Sequence, residues 1–439
     1  MKKLDLSLKA QEKAKERIPG MTQLLSKRPD MFSMGVWPAY YSKASGSQVW
    51  DLDGNQYTDM SISAIGACVL GYNDPDVDSA VIKAIQNGVA SSLNCYEEIQ
   101  LAELLCDIHP WADMVRYART GGEAMAVAVR IARASTGRDK IAFCGYHGWH
   151  DWYLAANLKT DDALEGHLIP GLEPAGVPSQ LSGTALPFGY NKPEELEKIL
   201  AENKGEIAAV VMEPIRNIHP DEGFLNKVKE LAKEAGAVFV FDEISAGFRI
   251  CPGGSHLTLG SEPDMAIFSK AIGNGYPMSA IIGKKSVMEA AQKTFISSTN
   301  WTERVGPAAA LATIQKFIAN NVHEHLVELG TRIQSGWQKA ADNAGLKVHC
   351  GGIPPLSHFN FEEEDPLSLK ALHIQQMRDE GFLASNIYYS MFAHTFEEVD
   401  KYLEATTRSF ESIAEAMKKG EVHTRMEGRK SGTGFKRIT

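Results

Sequence analysis

The sequence has no apolar run approaching the ~20 residues that a membrane span requires. Its basic start, MKKLDLSLKAQEKAKERIPG, has no apolar stretch behind it. The first lack excludes a membrane-spanning helix and the second a secretory signal, so the segment reads as a charged amphipathic helix and the expected location is the cytoplasm. Positive charge is also scarce: 45 Lys and Arg stand against 55 Asp and Glu, giving a net charge of −10. That balance argues against nucleic acid or an anionic membrane surface as the main partner. The six cysteines (Cys68, Cys95, Cys106, Cys144, Cys251 and Cys350) form no C-x-x-C pair. Free thiols in a reducing compartment fit better than a disulfide framework or a zinc site. Histidines are dispersed too. The densest group, YHGWHD at 146–151, sets His147 and His150 one helical turn apart without further ligands nearby, so no metal is expected.

The 439 residues, 44% hydrophobic and 23% charged, suffice for a large domain with a smaller companion. Asp53-Gly54-Asn55 between two β-rich runs predicts a hairpin. Residues 76–108 carry helical periodicity, and 114–118 read as a short strand running into an alanine-rich helix over 119–137. Thr120, Gly121 and Gly122 sit where that helix begins. Its unpaired N–H groups and positive dipole end suit a phosphate, and glycine lets the backbone come close. Thr120 with Glu123 also spells a capping box, and both readings can hold together. Lys140 to Cys144 is the next strand, leading to the aromatic turn at Tyr146.

Ile207–Met212 and Ala237–Phe241 are continuous apolar strands separated by an amphipathic helix over 223–235. Such strands mean an α/β fold whose mostly parallel sheet is covered on both faces. Ligands of such sheets sit beyond the strand carboxyl ends. Glu213, Asp242 and Lys270 all stand at or just after such ends, the last after Met265–Phe268 and before the turn GNGYP. Residues 75–315 are therefore expected to form the large domain, with 1–74 joining 316–439 in a smaller α+β domain. The basic, glycine-rich tail reads as loosely held.

Taken together, these residues meet a chemical specification. A buried lysine with a depressed pKa can form a Schiff base, and an aspartate can keep a ring nitrogen protonated. The helix start can bind phosphate, and an aromatic ring can stack on a heterocycle. Pyridoxal 5′-phosphate needs all four.

The motifs TGGEA (120–124), YHGWHD (146–151), EP (213–214), DEISAGFR (242–249) and PDMAIFSKAIGNGYP (263–277), with the earlier WDLDGNQYTDM (50–60), resemble the class III aminotransferases of fold type I. Within them, AHTFEEVD (393–400) and GNGYP are most similar to the glutamate-1-semialdehyde 2,1-aminomutases. The resemblance implies a homodimer with its active site at the subunit boundary, acting on a small-molecule amino donor and a keto or aldehyde acceptor. It implies that Lys270 is the Schiff-base lysine and proton shuttle and that Asp242 pairs with the ring nitrogen. Tyr146 and Ile244 would flank the ring, Gly121 and Gly122 would hold the phosphate, and Glu213 and Asn217 would be polar groups of the site. Thr299, with Thr302 as rival, would reach the phosphate of a neighbouring subunit. Departures fall at the substrate: Arg28 is a loose match to the family's carboxylate-binding arginine, and Tyr388, beside Tyr389 where the aminomutases differ, is expected to meet the substrate through its hydroxyl. An intramolecular aminomutase acting on glutamate-1-semialdehyde and a sugar or nucleotide-sugar aminotransferase are therefore the alternatives to a transaminase.

Overall fold

The apolar runs of the sequence become neighbouring strands because every face of them can be covered. The computed structural model describes residues 3–160, 162–167 and 169–435. The chain divides into two units, residues 75–323, and residues 1–74 together with 324–439. In the first, seven strands form one sheet: β1 (Met114–Ala118), β2 (Lys140–Cys144), β3 (Ala185–Pro187), β4 (Ile207–Met212), β5 (Val238–Asp242), β6 (Met265–Phe268) and β7 (Ser279–Gly283), in the order β1-β7-β6-β5-β4-β2-β3. The pairings among β3, β2, β4, β5 and β6 are parallel. Strand β7 runs antiparallel to both β6 and β1, so β1 shares the direction of the parallel strands. The sequence patterning did not single out β7, whose apolar residues merge with the turn before it.

Helices α1 (Pro75–Gln86), α2 (Glu97–Ile108), α3 (Gly121–Thr136), α4 (Phe224–Glu234) and α5 (Val305–Ala319) belong to the same unit. Helix α3 packs Ala124, Met125, Ala128, Ile131 and Ala132 against Ile141, Val211, Val240, Ile267 and Ile281 of the sheet. Its small side chains let the helix approach closely, and each large one deleted from such a core costs about 2–5 kcal/mol. The helical periodicity over 76–108 resolves into two helices, α1 and α2, separated near Gly88 at φ 96°. Helix α5 lies on α1 and α2, tied by Lys316 to Asp76 at 2.6 Å and Arg304 to Glu97 at 2.8 Å. The unit therefore ends at His323, and the division expected at 315/316 would have cut α5.

The second unit has a four-stranded sheet and a three-stranded sheet. Asp53-Gly54-Asn55 joins Gln48–Asp51 to Gln56–Met60 as an antiparallel pair. The Asp53 carboxylate accepts from the N–H groups of Leu6 (2.7 Å) and Ser7 (2.8 Å) at the start of the N-terminal helix Asp5–Arg17. In AHTFEEVD, Thr395 and Glu398 close a capping box on the helix Phe396–Lys419. His394 Nε2 donates to the Asp59 carbonyl at 2.8 Å. That motif thus builds structure. The tail is held more firmly than its composition suggests: the N–H of Arg429 meets the Met34 carbonyl at 2.9 Å, and Ser431 is 3% exposed. Among the described residues no helix is long and apolar enough to cross a membrane.

Candidate active site

Because β1, β2, β4, β5 and β6 run the same way, their carboxyl ends deliver side chains to one edge of the sheet. They bring Thr120-Gly121-Gly122, Gly145-Tyr146-His147, Glu213, Asp242 and Lys270. Lys270 begins a short turn and holds φ at 48°, a left-handed backbone that costs a non-glycine residue roughly 1–2 kcal/mol. Its Nζ donates to Ser245 Oγ at 2.8 Å. Its pKa is pushed down to about 7, chiefly by burial and then by the charges of Arg216 and Arg249, with Glu213 and Asp242 opposing them. Near neutrality a large share of this amine is unprotonated and can act as nucleophile or base.

Asp242 is 3% exposed. Its Oδ1 accepts from the Ile244 N–H at 3.0 Å, and its Oδ2 lies 2.8 Å from His147 Nδ1. His147 Nε2 lies 3.0 Å from the Cys144 carbonyl. A carbonyl only accepts, so Nε2 carries a proton, and the contact with Asp242 requires a second proton on one of its two atoms. The pair is thus an ion pair or its proton-transferred equivalent, shielded from water. Sequence reasoning weighed His147 only as a metal ligand. Its place beside Tyr146 in YHG was the available signal.

At the helix start, Thr120 and Glu123 do form the capping box. Glu123 Oε2 takes the Thr120 N–H at 3.0 Å, while the N–H groups of Gly121 and Gly122 lie in the first turn, where a helix supplies no acceptors. A Cβ on Gly121 would come within 2.9 Å of Ile244 Cδ1, and one on Gly122 within 2.9 Å of the His150 ring. Two side chains therefore close over these glycines, and a side chain at either position would have to displace one of them. Tyr146 packs at the rim of the same core as Ile244 and lies edge-on to Tyr153 at 5.8 Å. Glu213, 8% exposed, accepts the Tyr146 N–H through Oε2 at 3.4 Å and Arg216 Nη1 through Oε1 at 3.1 Å. Asn217 lines the cavity beside Glu213. This donor set fits a phosphorylated pyridine aldehyde: a neutralisable amine, a buried carboxylate, an aromatic ring and a glycine helix start converge.

Three other residues stand apart. Thr299 is exposed in the turn Thr299–Thr302, where the Thr302 hydroxyl donates to its carbonyl at 2.9 Å. No described contact joins it to Lys270 or Asp242. Arg28 is 6% exposed and engaged by Asp30, Nε to Oδ1 at 3.0 Å and Nη2 to Oδ2 at 2.5 Å, so its fork already grips a carboxylate of its own chain. Tyr388, contrary to expectation, does not meet a substrate. It is 0% exposed in the core of its unit, 3.1 Å from His394 Nδ1, and offers no surface to a substrate.

Comparison with known proteins gives a consistent result. The sequence pattern of the family described as "Aminotransferase class-III" matches residues 32–387. A 3-aminobutyryl-CoA aminotransferase of Cloacimonas acidaminovorans is 32% identical over 429 residues, covering 95% of this chain and 98% of the relative. A glutamate-1-semialdehyde 2,1-aminomutase of Geotalea daltonii is 32% identical over 410 residues, covering 87% and 93%. The solved FumI protein of Sphingopyxis sp. MTA144, described as a PLP internal aldimine form, superimposes with a TM-score of 0.84 at 26% identity, over 93% of this chain and 97% of that one. An omega-transaminase from Sphaerobacter thermophilus shares the fold with a TM-score of 0.81 at 24% identity, over 93% and 98%.

Proposed function

The chain belongs to the class-III aminotransferase family, pyridoxal-phosphate enzymes of fold type I, and from that premise we propose that Lys270 and Asp242 carry its chemistry. When bound, the cofactor supplies an aldehyde that takes up an amino group and a pyridine ring that delocalises electrons. Lys270 Nζ, lowered to about 7, takes and returns a proton at the substrate carbon bearing the amino group. Ser245 holds that nitrogen in place between transfers. Asp242, backed by His147, holds the ring-nitrogen proton. Gly121 and Gly122 would hold the phosphate through backbone N–H groups, and Tyr146 and Ile244 would flank the ring. Glu213 and Asn217 present polar groups toward the substrate side.

The observation that carries this reading is a lysine amine, depressed by burial, on the same sheet edge as a buried histidine-backed aspartate. We place the enzyme in the cytoplasm as a homodimer, with the exposed Thr299 reaching the phosphate of the second copy. A screen of amino donors tests the function: the holoenzyme should lose its visible cofactor absorbance with a productive donor and regain it with a keto or aldehyde acceptor. Absorbance that no donor alters would contradict it. Similarity to the aminomutase supports a second reading, intramolecular transfer on a semialdehyde. Net conversion of glutamate 1-semialdehyde without added donor would select it. Burial of Tyr388 removes one of the two tyrosines that spoke for the sugar-aminotransferase alternative.

A further inference from the structure

Arg28 holds Asp30 through two of its nitrogens, and a second largely buried arginine stands at the carboxyl edge of the sheet. A cavity of about 670 Å³ opens beside the sheet edge, lined by Gly145, His167, Tyr190, Glu213, Arg216 and Asn217 among others. Its wall is shared with the site, because Glu213 takes the Tyr146 N–H on one oxygen and Arg216 on the other. Arg216 follows β4 in the turn EPIRN, and its side chain and that of Glu213 are only 15% and 11% exposed. Lys192, the other cation of this cavity, is 58% exposed and faces Glu195 at 3.2 Å. His167 accepts the Gly145 N–H at 3.1 Å, and burial lowers its pKa to about 4, so it brings no charge at neutral pH. An arginine so placed meets a carboxylate in the geometry its planar fork favours.

We propose that Arg216 is the residue that reads the substrate, binding a carboxylate carried by the amino compound while Glu213 holds the guanidinium at the cavity wall. The inference rests on the transaminase reading above and names the substrate class for it: amino acids, whose acid group enters from the Gly145–Asn217 side. The charge of Arg216 is felt within the site, where it depresses the amine of Lys270 after burial has done so and also bears on Tyr146.

The test uses the holoenzyme of the wild type, Arg216→Gln and Arg216→Lys. The probes are alanine with alaninamide and β-alanine with β-alaninamide, pairs that keep the amine and remove the charge. Single-turnover loss of cofactor absorbance gives an acid-to-amide rate ratio for each protein. The wild type should favour the acid of one pair by ~10-fold or more, Arg216→Gln should bring that ratio near one, and Arg216→Lys should retain part of it. A second readout needs no turnover. Capture of pyridoxal 5′-phosphate by the cofactor-free chain, followed against pH, should have its midpoint near 7 in the wild type. The midpoint should rise in Arg216→Gln, because Glu213, Asp242 and Arg249 remain while one positive charge is gone. Phosphate binding at the cofactor itself is the rival role for Arg216, and a loss of cofactor affinity as large as the loss of acid preference would overturn the proposal in its favour. An acid preference undiminished in Arg216→Gln overturns the proposal and leaves the transaminase reading standing. A wild type that captures no cofactor overturns both. If Arg216→Gln does not fold, Arg216→Lys decides, an undiminished preference counting against.

Discussion

Asp242 and Glu243 are neighbours in sequence, both buried, and each lies within 2.8 Å of a histidine nitrogen. They nevertheless do different work, and the far nitrogen of each histidine decides it. Behind Glu243, His256 Nε2 accepts from Trp111 Nε1 at 3.0 Å, so the ring is neutral with its proton on Nδ1. Glu243 is further bonded by Ser255 Oγ at 2.8 Å and the His256 N–H at 3.0 Å, and next to it His109 Nε2 accepts the Gly254 N–H at 2.9 Å. That centre is closed and locks the loop after β5 in place. Behind Asp242, His147 Nε2 faces a carbonyl and must donate, which leaves an additional proton with the pair. Oδ1 of Asp242 has one backbone partner, Ile244. Nearly equal contacts, 2.7 Å and 2.8 Å, thus support a structural carboxylate at Glu243 and a carboxylate suited to hold a ring-nitrogen proton at Asp242.

The comparison can be broken by exchanging charge for amide at each position. Asp242→Asn should cut turnover by roughly 10²–10³-fold, measured as kcat. Glu243→Gln should do the reverse: a loss of about 1–3 kcal/mol in stability, read by thermal or urea unfolding, with kcat changed less than tenfold. Equal effects of both changes on kcat would remove the distinction. Acid sharpens it. Burial lowers the His109 pKa from 6.5 to about 4, so the unfolded chain binds a proton that the fold refuses. Stability should therefore fall as pH drops from 6.5 toward 4, and a melting temperature flat over that window would contradict the closed centre. The smallest effect is expected at the helix start. Thr120→Ala removes one arm of the capping box and should cost about 1 kcal/mol in unfolding free energy.

Much of the site could be read from the sequence because parallel strands place chemistry at their ends. Glu213, Asp242 and Lys270 each follow an apolar run, so the pattern located them before any contact was known. Their partners could not be read that way. His147 meets Asp242 across 95 residues, and Ser245 meets Lys270 across 25, through strand register alone. Arg216 follows the Glu213-Pro214 pair closely, but only the fold turns it toward Glu213. Tyr388 was misread because its short strand Ile387–Tyr389 alternates exposure, and position 388 is the inward one. Strand β7 is hidden for another reason: its apolar residues follow the GNGYP turn with no break, and it enters the sheet antiparallel, between β6 and β1.

The central claim is that Lys270 is the amine that holds the cofactor, and absorbance spectroscopy with pyridoxal 5′-phosphate tests it directly. The wild type should capture the cofactor with a new visible band that borohydride bleaches, leaving the label on the peptide containing Lys270. Lys270→Ala should show the spectrum of free cofactor while keeping its melting temperature. A visible band of unchanged position and intensity in Lys270→Ala, or a label on another lysine, would contradict the account.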